Sequence, residues 1–233
     1  MRDVALLIGN SDGIGLALTR RLLERGFTVT GISKSPSPIS HEEYRHFVVD
    51  VSAADYGDRL NAALPSDRIR LCVYCAGIGS HFAMDSLTQD VATFQVNLVG
   101  LVTTVERILP RMAVDGPAVF AGLSSLADLA LSPVAPAYYA SKAGMTRYLE
   151  GLAHAVRKTG VAVVNVRLGF VDTKMAKGAW KPWMISPDQA AQRILRAVLR
   201  NRPAIRVNIP RRAAAVAAVV LPLLARVIGV ISR

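Results

Sequence analysis

The 233-residue chain is 52% hydrophobic and 19% charged, which is enough apolar material for a sizeable core and too much for a disordered or collagen-like polypeptide. Its two cysteines, Cys72 and Cys75, exclude a disulfide-dense scaffold and a four-cysteine zinc site. The net charge of +11 sits at one end: residues 1–156 hold 13 Lys+Arg against 15 Asp+Glu, and residues 157–233 hold 15 against 2, so a general nucleic-acid-binding body is not expected.

Residues 4–8 read as a first strand. The N-terminus is too short and too soon broken by Gly9 to be a secretory signal, so a reducing cytoplasm is the expected location. A turn, Gly9-Asn10-Ser11-Asp12-Gly13-Ile14-Gly15, leads into a helix in which Ile14, Leu18 and Leu22 recur at a spacing of four and which Gly26 ends. Further strands are expected over residues 28–32, 47–49, 71–74, 118–123, 161–168 and 205–209. Helices are expected over about 53–64, 89–112, 137–158 and 187–201. Cys72 and Cys75 have a redox-like Cys-x-x-Cys spacing, but they lie in the apolar run 71–75 and read as core thiols. His41, His46, His81 and His154 lack ligand spacing, so no metal site is expected. Alternating strands and helices with continuously apolar strands predict one doubly wound α/β domain, Rossmann-like, with a parallel sheet covered on both faces. It should occupy residues 1–210.

Residues 211–233 form an apolar tail with Arg211, Arg212, Arg226 and Arg233. Its uninterrupted run, 213–225, is too short to span a bilayer, and extension to 231 takes in Pro222 and Arg226. Two alternatives stand: packing on the core or a partner copy, or peripheral membrane contact with the arginines at lipid phosphates.

The first strand-to-helix turn is where such folds bind a dinucleotide, because glycines let the backbone approach a phosphate and the helix start offers free N–H groups. Tyr138 and Lys142, at i and i+4, share one helix face. A tyrosine titrates near ~10, and a neighbouring ammonium favours its phenolate, making it usable as an acid/base catalyst. Ser124-Ser125 end a strand upstream, and Asn97 lies in the helix before that strand.

Over about residues 4–210 these residues resemble the short-chain dehydrogenase/reductase family. The resemblance implies a catalytic tetrad of Asn97, Ser125, Tyr138 and Lys142, with Ser125 preferred to Ser124 because of its spacing from the tyrosine. It implies that Gly9, Ser11, Asp12, Gly13, Ile14 and Gly15 form the cofactor turn, and that Asp50 and Val51 meet the adenine. Cys75-Ala76-Gly77 matches the family's Asn-Asn-Ala-Gly segment in its last two residues. Gly169, Val171 and Thr173 fall in the segment that holds the nicotinamide end, where Leu168 replaces the usual Pro. Ile8 replaces the usual Thr before the first glycine, and Tyr74-Cys75 replace two Asn. The second strand ends in Ser33-Lys34 with no acid between Thr28 and His41, so NADP is expected in preference to NAD. Asp12 stands where many NADP users carry a basic residue. Trp180 and Trp183 fall in the substrate-lid region and imply an apolar carbonyl or alcohol substrate.

The expected function is a short-chain oxidoreductase interconverting a ketone or aldehyde and an alcohol with NADP(H). The alternative is a non-catalytic dinucleotide-binding regulatory protein, held at a membrane in one version. The resemblance also implies a homo-oligomer paired through the helices bearing Asn97 and Tyr138.

Overall fold

The computed structural model describes residues 3–176, 183–200 and 204–207. Among the described residues there are seven strands: β1 (Asp3–Ile8), β2 (Thr28–Ser33), β3 (Tyr44–Val48), β4 (Arg68–Tyr74), β5 (Ala118–Ser125), β6 (Val161–Leu168) and β7 (Ala204–Val207). They form one parallel sheet in the order β3-β2-β1-β4-β5-β6-β7. Its helices are α1 (Gly13–Leu23), α2 (Tyr56–Ala63), α3 (Thr88–Phe94), α4 (Gly100–Asp115), α5 (Pro136–Ala155) and α6 (Pro187–Val198).

Alternate residues of each strand serve opposite faces. From β1, Leu6 and Ile8 pack with Leu101, Ile108, Met145 and Leu149 on one side. Ala5 and Leu7 pack with Leu18, Leu22, Ile194 and Leu195 on the other. Both faces of the sheet are therefore apolar, as expected for strands buried between two helix layers. Local signals set the helix starts. Asp12 caps α1 by accepting from the Gly13 N–H, and Ser186 with Gln189 forms a reciprocal capping box before Pro187 opens α6.

Two expected elements differ. The third strand begins at Tyr44, three residues before the apolar pair that marked it, because its pairing with β2 starts at Val29 opposite Tyr44. The helix expected over 89–112 is not continuous: a π-helical segment, Gln95–Val99, separates α3 from α4. Such a segment inserts one residue into a helical turn, which periodicity cannot show. Residues 208–209 of the expected last strand, Trp180 and the whole tail 211–233 lie outside the described residues. Among the described residues no helix is long and apolar enough to cross a membrane.

One buried charge network joins the elements that carry the site. Asp128, in the 3-10 turn after β5, has a side chain 1% exposed. It accepts from Arg167 Nε of β6 at 2.5 Å and from Thr146 Oγ1 of α5 at 2.7 Å. Arg167 also donates to Glu150 of α5 at 2.7 Å. Removing one member of such a pair leaves a buried charge without its partner. Asp128→Ala should therefore cost about 3 kcal/mol and lower the melting temperature by roughly 6–12 °C. An unchanged calorimetric melting curve would show that the network does not hold these three elements together.

Candidate active site

The strand order reverses between β1 and β4, which opens a crevice at the C-terminal ends of these two strands. The glycine turn lies there. Gly9 has φ +85, and a Cβ on it would strike the Ala76 backbone. A Cβ on Gly15 would overlap the Gly9 carbonyl oxygen. Both positions exclude any side chain, and the result is a cradle of backbone open to a phosphate. Gly13 brings Thr173, from the loop after β6, to 3.2 Å of its own Cβ position. Ser11 and Ile14 stand partly exposed at the mouth of α1. Asp12 pairs with Lys174 at 2.7 Å, and the hydrogen bonds from Lys174 and the Gly13 N–H hold its carboxyl below the usual range.

At the end of β2 the Ser33 hydroxyl is buried and donates to the Ser35 carbonyl at 2.9 Å. Lys34 is exposed and pairs with Asp50 at 2.9 Å. Partial burial pushes the Asp50 carboxyl up, but hydrogen bonds from Lys34 and Ser52 outweigh it and hold the group at about 2. Val51 beside it is buried. Lys34 and Asp50 thus frame one edge of the crevice, and Ser33 shapes the loop between them from inside.

The other side of the crevice gathers Asn97, Ser125, Tyr138 and Lys142. The π-helical segment turns Asn97 inward. Its Oδ1 accepts from the Ile78 N–H at 2.8 Å, and its Nδ2 donates to the Ile78 carbonyl and to Ser141 Oγ, each at 2.9 Å. Adjacent serines on β5 face opposite ways. Ser124 is buried and donates to Asn165 Oδ1 at 2.6 Å, whereas Ser125 accepts from the Ala127 N–H and stands beside Tyr138. Lys142 is 4% exposed, donates to the Leu123 carbonyl at 2.9 Å, and has its Nζ 6.0 Å from the centre of the Tyr138 ring.

Burial pushes the Lys142 ammonium down to about 8. Tyr138 is partly exposed, yet protein crowding its hydroxyl pushes the phenol up, and the neighbouring Ser125 only partly offsets this. The i, i+4 placement of Tyr138 and Lys142 led to the expectation of a tyrosine pulled down by the lysine. Here burial is the largest influence, and Lys142, with its Nζ 6.0 Å from the ring centre, donates to the Leu123 carbonyl instead.

The joining loops complete the site. Cys75 and Ala76 donate their N–H groups to the Ile8 carbonyl at 2.7 and 2.9 Å, so backbone joins β1 to β4 at the place where the family has polar side chains. Ile8 and Tyr74 are buried side by side, and the Tyr74 hydroxyl donates to the Val96 carbonyl in the π-helical segment at 2.5 Å. Gly77 lies 3.4 Å, from its Cβ position, to both Asn97 Oδ1 and Lys142 Nζ. Leu168, which ends β6, and Gly169 are partly buried, and buried Val171 forms an isolated bridge with Ile185. Both cysteines are free, and burial pushes both thiols up, so they are core thiols.

Sequence reasoning missed Ser141, Gly79 and Lys174. Ser141 anchors Asn97, and Gly79 lets the loop after β4 pass over the Tyr138 ring. Their signal was position alone: each lies within five residues of a residue already singled out.

A family model described as short chain dehydrogenase matches residues 3–182. The chain belongs to the short-chain dehydrogenases. This dehydrogenase is 28% identical to a very-long-chain 3-oxoacyl-CoA reductase of Anas platyrhynchos over 74% of the chain, and it spans 61% of that protein's length. It is also 28% identical to a 2-(R)-hydroxypropyl-CoM dehydrogenase of Xanthobacter autotrophicus, over 84% of the chain and 83% of the relative. Its fold matches a Burkholderia cenocepacia short chain dehydrogenase in complex with NADP at TM-score 0.83 and 22% identity, covering 93% of this chain and 92% of that one. The family is one of NAD(P)-dependent oxidoreductases, and the glycine cradle has the open backbone that such a dinucleotide requires.

Lys142 gives a stability test of the site. Its folded value near 8 lies below the ordinary 10.5, so the unfolded chain holds this proton more tightly. The cost to folding is complete below about pH 8 and fades as pH rises towards 10.5. Lys142→Met should therefore melt higher than the dehydrogenase at pH 7, with the gap closing by pH 10. A variant that melts lower at pH 7, with no pH-dependent gap, would contradict a buried ammonium here.

Proposed function

We propose that this dehydrogenase interconverts a ketone or aldehyde and an alcohol, with NADP(H) preferred to NAD(H). The observation that carries the reading is the meeting of Ser125, Tyr138, Lys142 and Asn97 at the crevice that the glycine turn opens. Ser125 holds the carbonyl oxygen, and the Tyr138 hydroxyl donates to it or accepts from it. Lys142 stands beside the Tyr138 ring, placed to hold the nicotinamide ribose when the dinucleotide is bound. Asn97 fixes the loop at Ile78, and with it the edge of the crevice nearest Lys142. The nicotinamide, when bound, supplies the hydride chemistry, and the glycine turn and the loop around Thr173 would hold its phosphates. A binding-only regulator has no use for a buried lysine beside a tyrosine, which sets this reading above the regulatory one.

Exposed apolar side chains at the C-terminal ends of β4, β5 and β6 support an apolar substrate. Met84, Leu131, Val134 and Trp183 are each more than half exposed. The avian relative is named for a very-long-chain 3-oxoacyl-CoA substrate. Support for NADP comes from Lys34 and the absence of an acid at the end of β2. In the same reading two copies pair through the helices bearing Asn97 and Tyr138, and Val91, Val99 and Val102 are exposed around Asn97.

Tyr138→Phe keeps the ring and removes the proton-carrying hydroxyl. Turnover of an apolar ketone should fall at least ~100-fold with dinucleotide binding kept, and Tyr139→Phe should be much milder. The reverse pattern would place the acid/base group elsewhere. Fluorescence titration should show NADPH binding more tightly than NADH, with Lys34→Ala cutting that preference roughly 10-fold. Equal affinities in the unmodified protein would refute the cofactor assignment.

A further inference from the structure

Beneath the loop that carries Lys34 runs a chain of buried and half-buried side chains that the proposed mechanism does not use. Asn10, fully buried between Gly9 and Ser11, donates through Nδ2 to Thr19 Oγ1 at 3.1 Å and to the Tyr44 hydroxyl oxygen at 2.7 Å. That hydroxyl lies 3.0 Å from Nδ1 of His46. The other imidazole nitrogen, Nε2, lies 3.1 Å from the Ser35 carbonyl oxygen and 3.3 Å from Ser33 Oγ. Gly31, paired with His46 across the β2–β3 ladder, leaves the room: a Cβ there would overlap the Asn10 amide and crowd the Tyr44 hydroxyl.

The proton directions follow from the chemistry of the ends. A carbonyl oxygen only accepts, so Nε2 carries the hydrogen, and in the neutral ring Nδ1 accepts. Tyr44 already accepts from Asn10 and gives its single proton to Nδ1. Burial pushes the imidazole below its usual range, which keeps the neutral ring at neutral pH. Ser33 adds its own donation to the same Ser35 oxygen. Two donors therefore converge on one carbonyl.

That carbonyl lies in a particular place. Ser35 precedes Pro36, so its peptide has no N–H and presents to its surroundings only an acceptor. Turned outward beside Lys34, the oxygen would face a bound phosphate with its negative end. Held inward by His46 and Ser33, it leaves Lys34 as the nearest charge on the loop. We propose that the Asn10–Tyr44–His46 chain is a specificity-determining support for the 2′-phosphate of NADP, joining the glycine turn to the Ser33–Ser35 loop and keeping the Ser35 carbonyl away from the phosphate. The inference rests on the NADP preference proposed above. A nucleotide without the 2′-phosphate does not meet this loop charge to charge, so the chain acts on selectivity more than on affinity in general.

The test is equilibrium binding of NADPH, NADH, 2′,5′-ADP and 5′-AMP to the full chain, with His46→Phe and Tyr44→Phe beside the unmodified protein. His46→Phe keeps ring volume and removes both nitrogens. Tyr44→Phe removes one hydroxyl, and as the milder change it supplies the measurement if His46→Phe does not fold, as judged by its melting curve. NADPH and 2′,5′-ADP should each weaken about tenfold in either variant, the scale of one lost charge-linked hydrogen bond, while NADH and 5′-AMP change by less than about twofold. Equal weakening of all four ligands would mean that the chain only stabilises the loop, and the proposal fails. An unchanged NADPH-to-NADH ratio in both variants also overturns it, with the NADP reading left standing. Equal NADPH and NADH affinities in the unmodified protein would instead overturn that reading and this inference with it.

Discussion

The close approach of three backbones at the end of β1 is the constraint on which the site depends. The Ile8 carbonyl takes N–H groups from both Cys75 and Ala76, the Gly9 N–H donates to the Ile32 carbonyl at 2.6 Å, and Gly15 lies against the Gly9 carbonyl. β2, β4 and α1 are thereby drawn to one point. No side chain fits there. The crevice opens where the strand order reverses, and it does so with a fixed floor, because the backbone that forms it cannot shift without a clash. Polar side chains are not needed for this junction, and Ile8 and Tyr74 fill the space as core residues while the backbone makes the bonds.

The side of the crevice that carries Lys142 has a different physical character. Lys142 is an ammonium kept in a nearly closed position by one carbonyl, and its depressed proton affinity measures what that position costs the fold. The surrounding scaffold supplies the compensation: the Asp128–Arg167–Glu150 network ties the turn after Ser125 to α5 and β6, and Asn97 ties α3 and α4 to the Ile78 loop. Asn97 is in turn braced by Ser141. Strain or cost at a functional position, offset in the surrounding structure, is the pattern expected where chemistry overrides stability.

Much of this was legible in the sequence because it rests on spacing. The strands of the parallel sheet showed as apolar runs, the glycine turn showed the crevice, and the i, i+4 relation of Tyr138 to Lys142 put them on one helix face. The opposite facing of Ser124 and Ser125 follows from strand pleating, and the structure brings Ser125 to Tyr138. What stayed hidden depends on long-range contact. The π-helical segment that turns Asn97 inward has no periodic signature, the start of β3 at Tyr44 is decided by its partner strand, and His46 reads as one scattered histidine until β2 and β3 align it with Gly31. The pairing of Lys34 with Asp50 likewise joins residues 16 apart in sequence, from the ends of two neighbouring strands. Pattern gives elements and local faces; the partners of a polar side chain come from topology.

A crystal structure of the full chain with NADPH tests the central claim most directly. The account predicts the diphosphate over the Gly13–Gly15 N–H groups, the nicotinamide ribose against Tyr138 and Lys142, and the 2′-phosphate beside Lys34 after that lysine leaves Asp50. A dinucleotide bound elsewhere, or in the crevice with its nicotinamide end away from Tyr138, would contradict it.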